Sequence, residues 1–133
     1  MKLLATLLFF FLSLASFSQE QKKDHDESNM IVIDSGKLAT KPQFIGGIPN
    51  FLHFVRENYE LPKVKGLNGK VLVQFVVEKD GSIGDIKVLK DIGHGTGAEA
   101  VRIMTASPKW IPGMMDGEPV RVLFTLPINV DTR

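Results

Sequence analysis

Apolar and polar residues alternate with a period of two through Gly69–Asp91: Val71, Val73, Phe75 and Val77 fall on one side of a first arm, and Ile86 and Val88 on one side of a second. That period turns one face of each arm to a core. Lys79-Asp80-Gly81-Ser82 lies between the arms, and an Asp-Gly pair accepts the positive φ of a tight reversal, so the stretch predicts an antiparallel hairpin. A lone hairpin is marginal in water, so the remaining elements must cover or extend it.

The period changes on either side. Ile48, Phe51, Leu52, Val55 and Tyr59 recur at spacings of three and four and predict a helix, with Pro49 in its first turn and Leu61-Pro62 at its end. Glu99, Ala100, Val101, Ile103, Met104 and Ala106 predict a second helix, stopped by Ser107-Pro108 and with Thr96 as a candidate cap. Beyond Gly117, Val120, Val122, Phe124, Leu126 and Ile128 alternate with Arg121, Leu123, Thr125, Pro127 and Asn129, a strand that Pro127 marks as an edge because it cannot donate to a ladder. Met30-Ile31-Val32-Ile33 is long enough for one further strand, whose destination the pattern leaves open.

The amino terminus reads as a leader. Lys2 precedes an apolar run from Leu3 to Leu14 and a small-residue stretch ending Ser16-Phe17-Ser18. The run is shorter than the roughly 20 residues of a spanning helix, so residues 1–18 are expected to be a secretory signal peptide cleaved near Ser18, with an uncleaved inner-membrane anchor as the alternative. Residues 19–40 form a charged tail carrying the short apolar arm, and residues 41–133 the folded domain. There is no cysteine, so the exported fold relies on its core alone. Without Lys2, the 16 basic residues become 15 against 15 acidic. A neutral chain argues against nucleic acid or an anionic membrane surface as the main partner.

Three stretches invite a chemical reading. Asp24-His25-Asp26-Glu27 could touch a cation, but the run has no preformed geometry or second shell. Gly93, Gly95 and Ala98 satisfy a dinucleotide fingerprint, with Asp116 placed for a ribose contact. The preceding strand, however, alternates Asp85 and Lys87 with apolar residues instead of being a buried parallel strand. Trp110, beside Pro112 and Gly113, could be a ligand platform, though a large ring at a helix-to-strand corner serves better as a core anchor. No nucleophile stands next to a base, so catalysis is the weak hypothesis, and no metal, cofactor or small-molecule substrate is expected.

Helix, hairpin, helix and strand predict an α+β, two-layer domain: a three-stranded antiparallel sheet with both helices on one face. The last strand pairs beside the first hairpin arm, which leaves its other side open to a partner strand.

Several motifs in order resemble a known family: Phe44-Ile45-Gly46-Gly47, Asn58-Tyr59-Glu60-Leu61-Pro62, Gly69-Lys70-Val71, Phe75 to Gly81, Ile86-Lys87-Val88, Pro108 to Gly113, Pro119 to Val122 and Leu126-Pro127-Ile128. Residues 41 to 130 are similar to the carboxy-terminal domain of TonB as it occurs in Bacteroidetes. The resemblance implies a periplasmic module whose last strand receives the extended TonB box of an outer-membrane receptor. Carried over, the acceptors are the backbones of Val120, Arg121, Val122, Leu123, Phe124, Thr125, Leu126 and Ile128. Ile45 and Leu61 stand where the family's FPGG and YP motifs have Pro and Tyr.

A full transducer also has a membrane helix and a Pro-rich spacer, whereas the tail here spans at most about 80 Å at roughly 3.3 Å per residue. The sequence thus favours a stand-alone module that binds receptor segments by strand addition. The alternative is an interaction domain whose edge is filled by its own Met30–Ile33 arm or by a second copy in a homodimer. About five added backbone hydrogen bonds at roughly 1 kcal/mol each compete with ordering costs of about 1–2 kcal/mol per residue. Binding is therefore expected to be about micromolar or weaker.

Overall fold

A computed structural model of the chain describes residues 31–32 and 35–133. In chain order the elements are β1 (Ile31–Val32), a 3-10 turn (Ser35–Lys37), α1 (Gly47–Asn58), β2 (Asn68–Val77), β3 (Ile83–Lys90), α2 (Thr96–Thr105), β4 (Gly113–Met115) and β5 (Glu118–Asp131). The strand order is β1-β5-β2-β3, with β4 paired to the start of β5. The expected signal peptide, the Asp24–Glu27 cluster, Met30 and Ile33 lie outside the described residues.

The main sheet is the expected one, β3-β2-β5, with β2 paired antiparallel on both sides. Val71, Val73, Phe75 and Val77 of β2 are each 0% exposed. They share one core with Ile128 and Val130 of β5, Phe51 of α1 and Ala100, Ile103 and Met104 of α2, which puts both helices on one face of an α+β domain. Burying each large apolar side chain contributes about 1.5–3 kcal/mol.

The β2–β3 reversal and Trp110 are built together. The Glu78 N–H donates to Ser82 O at 2.8 Å, and the Gly81 N–H donates to Glu78 O at 2.9 Å. Gly81 has φ 84. A Cβ there would lie 1.9 Å from Trp110 O, so both conformation and close approach require glycine. The Trp110 N–H donates to Gly81 O at 2.8 Å. Its ring lies 5.3 Å from Phe75, 5.6 Å from both Phe44 and Phe51, and 6.1 Å from Phe124. Only 3% exposed, with Nε1 donating to Ser107 Oγ at 3.0 Å, it is the hub of the core.

Four local expectations need correction. The sheet has two short strands beyond the predicted three. β4 forms a hairpin with β5 through Asp116-Gly117, at φ 51 and 77, and β1 pairs parallel to β5. The Asp116-Gly117 dipeptide carries the hairpin signal; the three-residue strand before it is too short to show a period.

α1 ends at Asn58, ahead of Leu61-Pro62, because tertiary contacts pull the chain out of the helix. The Tyr59 hydroxyl donates to Thr96 O at 2.7 Å, Arg102 Nη2 donates to Asn58 O at 2.5 Å, and the Glu60 N–H donates to Glu99 Oε1 at 2.8 Å. On α1, Ile48 and Leu52 are half-exposed while Phe51 is buried, since that helix rests on the core through Phe44, Phe51 and Phe54. Thr96 is the first residue inside α2, not its cap; Gly95 holds the cap position, and Thr96 Oγ1 donates back to Gly93 O at 2.7 Å.

In β3, Asp85 adopts φ 48 and the pairing with β2 shifts between Gln74 and Val76. This bulge packs Ile83 against the core along with Ile86 and Val88, where strict alternation would leave Ile83 on the other face.

Candidate functional site

The residues assigned to partner binding all lie on β5, whose two sides differ. Towards β2 it is paired without interruption from Val122 to Asp131. On the far side β1 pairs with Arg121 and Val122, and among the described residues no strand takes that side of Leu123 to Asp131. Val120 is held opposite Gly113 in the β4 hairpin. The predicted set therefore divides into Val120 in a hairpin, Arg121 and Val122 beside β1, and Leu123, Phe124, Thr125, Leu126 and Ile128 on the open stretch.

Pro127 sets the polarity of that stretch. It lies opposite Leu72 in unbroken register. Having no N–H, it fits a regular ladder where its nitrogen points away from β2. Residues of the same parity, Leu123, Thr125 and Asn129, then direct their N–H and C=O groups to the open side, while Phe124, Leu126 and Ile128 give theirs to β2. The side chains alternate as well. Phe124 and Leu126 pack against the core but stay partly exposed, unlike Val73 and Phe75 at the sheet centre. Their uncovered flank is an apolar wall beside a row of backbone donors and acceptors.

Ion pairs bound the stretch at both ends. Arg121 Nε donates to Glu78 Oε2 at 2.7 Å and its Nη2 to Glu78 Oε1 at 3.1 Å, with Asp85 Oδ2 at 3.5 Å. The side chain, 14% exposed, thus reaches from β5 past the end of β2 to β3. The hydrogen bonds to Glu78 raise the Arg121 pKa. At the other end Arg133 Nε donates to Asp131 Oδ1 at 2.9 Å. Between them, Val122 to Val130 carries no charged residue. Sequence reasoning did not find the Arg121 cluster, because its two partners, Glu78 just past the end of β2 and Asp85 in β3, are far from it in the chain.

The glycine-rich loop serves α2. Asp91 Oδ1 accepts from the Gly93 N–H at 3.1 Å, and a Cβ on Gly97 would lie 2.5 Å from Asp91 Oδ2. The Asp91 carboxylate thus sits at the start of α2, where a dinucleotide's diphosphate would have to lie. A groove of about 420 Å³ runs along α1, lined by Phe44, Asn50, His53, Phe54, Glu57 and Asn58. Among the described residues no group of three or more His, Asp or Glu could hold a metal ion, and no helix is long and apolar enough to cross a membrane.

Residues 61–130, more than half of the 133-residue chain, match the family described as Gram-negative bacterial TonB protein C-terminal. The chain belongs to the TonB C-terminal domain family. Among curated proteins and solved structures, no match to the chain was found. The match makes this a TonB-like domain, of a protein-interaction family associated with TonB-dependent transport and found in the periplasm of Gram-negative bacteria. It covers β2 through nearly all of β5, including the open stretch, while α1 and Phe44 to Gly47 lie outside it. The two departures from the TonB motifs, Ile45 and Leu61, are exposed, and the Gly47 N–H closes the turn at Phe44 O at 2.7 Å.

Proposed function

We propose that this TonB-like domain binds extended segments of outer-membrane receptors by adding them as a strand to the outer side of β5. The observation that carries the reading is the stretch Leu123 to Val130: uncharged, without a strand partner on that side among the described residues, and flanked by the partly exposed Phe124 and Leu126. A segment lying there gains backbone hydrogen bonds from Leu123, Thr125 and Asn129 and buries alternate side chains against the apolar flank. Pro127 interrupts the donors, so affinity depends on side-chain burial as well as on the ladder, which favours binding of about micromolar strength or weaker. The domain acts in the periplasm, where such segments are presented.

The test is an amide NMR titration of residues 19–133, which contain every described element, with peptides from the periplasmic amino termini of outer-membrane receptors. Shifts concentrated at Leu123 to Val130 are the expected result. Saturating peptide without shifts there removes the transport role and leaves an interaction domain whose edge serves the chain itself or a second copy.

A further inference from the structure

The open stretch of β5 begins where another part of the chain already sits. Ile31 pairs with Arg121 and Val32 with Val122, running parallel to β5. Downstream, the same segment is fastened to the sheet. The N–H groups of Ala39 and Thr40 donate to Met114 O at 2.9 and 3.3 Å, and the Met114 N–H donates back to Thr40 O at 2.9 Å. Gln43 and Ile111 exchange hydrogen bonds at 3.0 and 2.7 Å. These contacts anchor the chain beside the β4–β5 hairpin, and only residues 33–38 separate that anchor from Val32. A tether this short gives the arm a local concentration on the order of millimolar or above. Two residue pairs that would be negligible between separate molecules are then populated within one.

We propose that the Ile31–Val32 arm is an intramolecular cap on the acceptor edge, competing with an incoming strand for Arg121 and Val122. The identity of that strand rests on the strand-addition reading; the cap itself does not. A partner confined to Leu123 and beyond binds alongside the arm, while one that continues towards the start of β5 displaces it. With the arm docked for about half to nine-tenths of the time, a displacing strand binds about two- to tenfold more weakly than it would to the bare edge. The cap also covers backbone groups that would otherwise be open to unwanted pairing.

The experiment compares residues 19–133 with the same chain carrying Ile31→Pro and Val32→Pro, which removes the arm's N–H groups without truncation. In the unaltered chain, nuclear Overhauser contacts should join Ile31 and Val32 to Arg121 and Val122. In the variant, shifts at Arg121 to Leu123 should change while the core signals stay in place. A synthetic peptide of residues 30–35, titrated into the millimolar range, should then shift Arg121 to Leu123 in the variant and do so about two- to tenfold more weakly in the unaltered chain. Unchanged Arg121 to Leu123 signals in the variant overturn the cap, as does equal binding of the arm peptide to both chains. Receptor peptides that shift Arg121 and Val122 should bind the variant two- to tenfold more tightly, and equal affinity overturns the competition. Receptor peptides that bind neither chain count against the proposed function, and the arm peptide still decides the cap.

Discussion

The sheet has two outer edges, and they are built differently. The edge of β3 carries a bulge at Asp85 and exposed Lys87 and Lys90, and among the described residues it pairs only inward, with β2. Bulges and lysines are the devices by which natural sheets refuse a further strand. The outer side of β5 has neither between Val122 and Val130. Its protection is one proline and a two-residue parallel arm. The same core supports both edges, so the difference lies in backbone availability and charge. The guarded edge disfavours a further strand, while the open one is where the proposed partner strand would add.

The largest test of this contrast uses proline as a probe of polarity. Leu126→Pro puts the missing N–H on the β2 side of β5 and should cost about 3 kcal/mol or more in urea unfolding. Thr125→Pro, one residue away on an exposed position, should cost less than about 1 kcal/mol yet remove receptor-peptide binding. Similar stability losses for the two would show that the assigned polarity is wrong.

The hairpin that joins the guarded edge to the core comes next. Gly81→Ala forces a side chain into φ 84 against Trp110 O and should destabilise by about 1–3 kcal/mol. Because Trp110 is the sole tryptophan, its fluorescence should report the displaced ring directly.

Behind both edges, Tyr59 ties α1 to α2, and Tyr59→Phe should cost about 1 kcal/mol by leaving Thr96 O without its donor. Burial, with the charges of Glu99 and Asp91 adding to it, pushes the Tyr59 phenol up from 10.0 to about 12. A raised folded-state pKa means that this contribution is whole below pH 10.0 and is lost as pH rises through about 12. The Phe variant should lack that alkaline component of unfolding.

The smallest stability effect belongs to the guard itself. Lys87→Val with Lys90→Val should change stability by no more than about 0.5 kcal/mol but promote concentration-dependent association, read by light scattering. A monomeric double variant would mean that the Asp85 bulge suffices to protect β3.

Much of this architecture was legible in the sequence. Val71 to Val77 and Val120 to Ile128 show period two because each strand has one face on the core, and Asp80-Gly81 signals its turn because few residues accept the required φ. Trp110 was identifiable as an anchor from its size and position. The edge character of β5 could be named in advance from alternation and Pro127, whereas its residues as acceptors of a partner strand came from the resemblance to TonB. Less legible were β1 and β4, too short to show periodicity, and the bulge at Asp85, which resets the alternation by one residue. The early end of α1 was hidden too, because Tyr59, Glu60 and Asn58 are drawn to α2 by groups about forty residues away in the chain.

By itself the sequence determined the element types, the core-facing residues and the strand available at an edge, because local period and turn chemistry act over a few residues. Only the tertiary structure decided which backbone groups of that edge are open. Pairing is a relation between distant segments: Ile31 and Val32 reach Arg121 and Val122, and Arg121 reaches Glu78 and Asp85, only once the sheet has assembled.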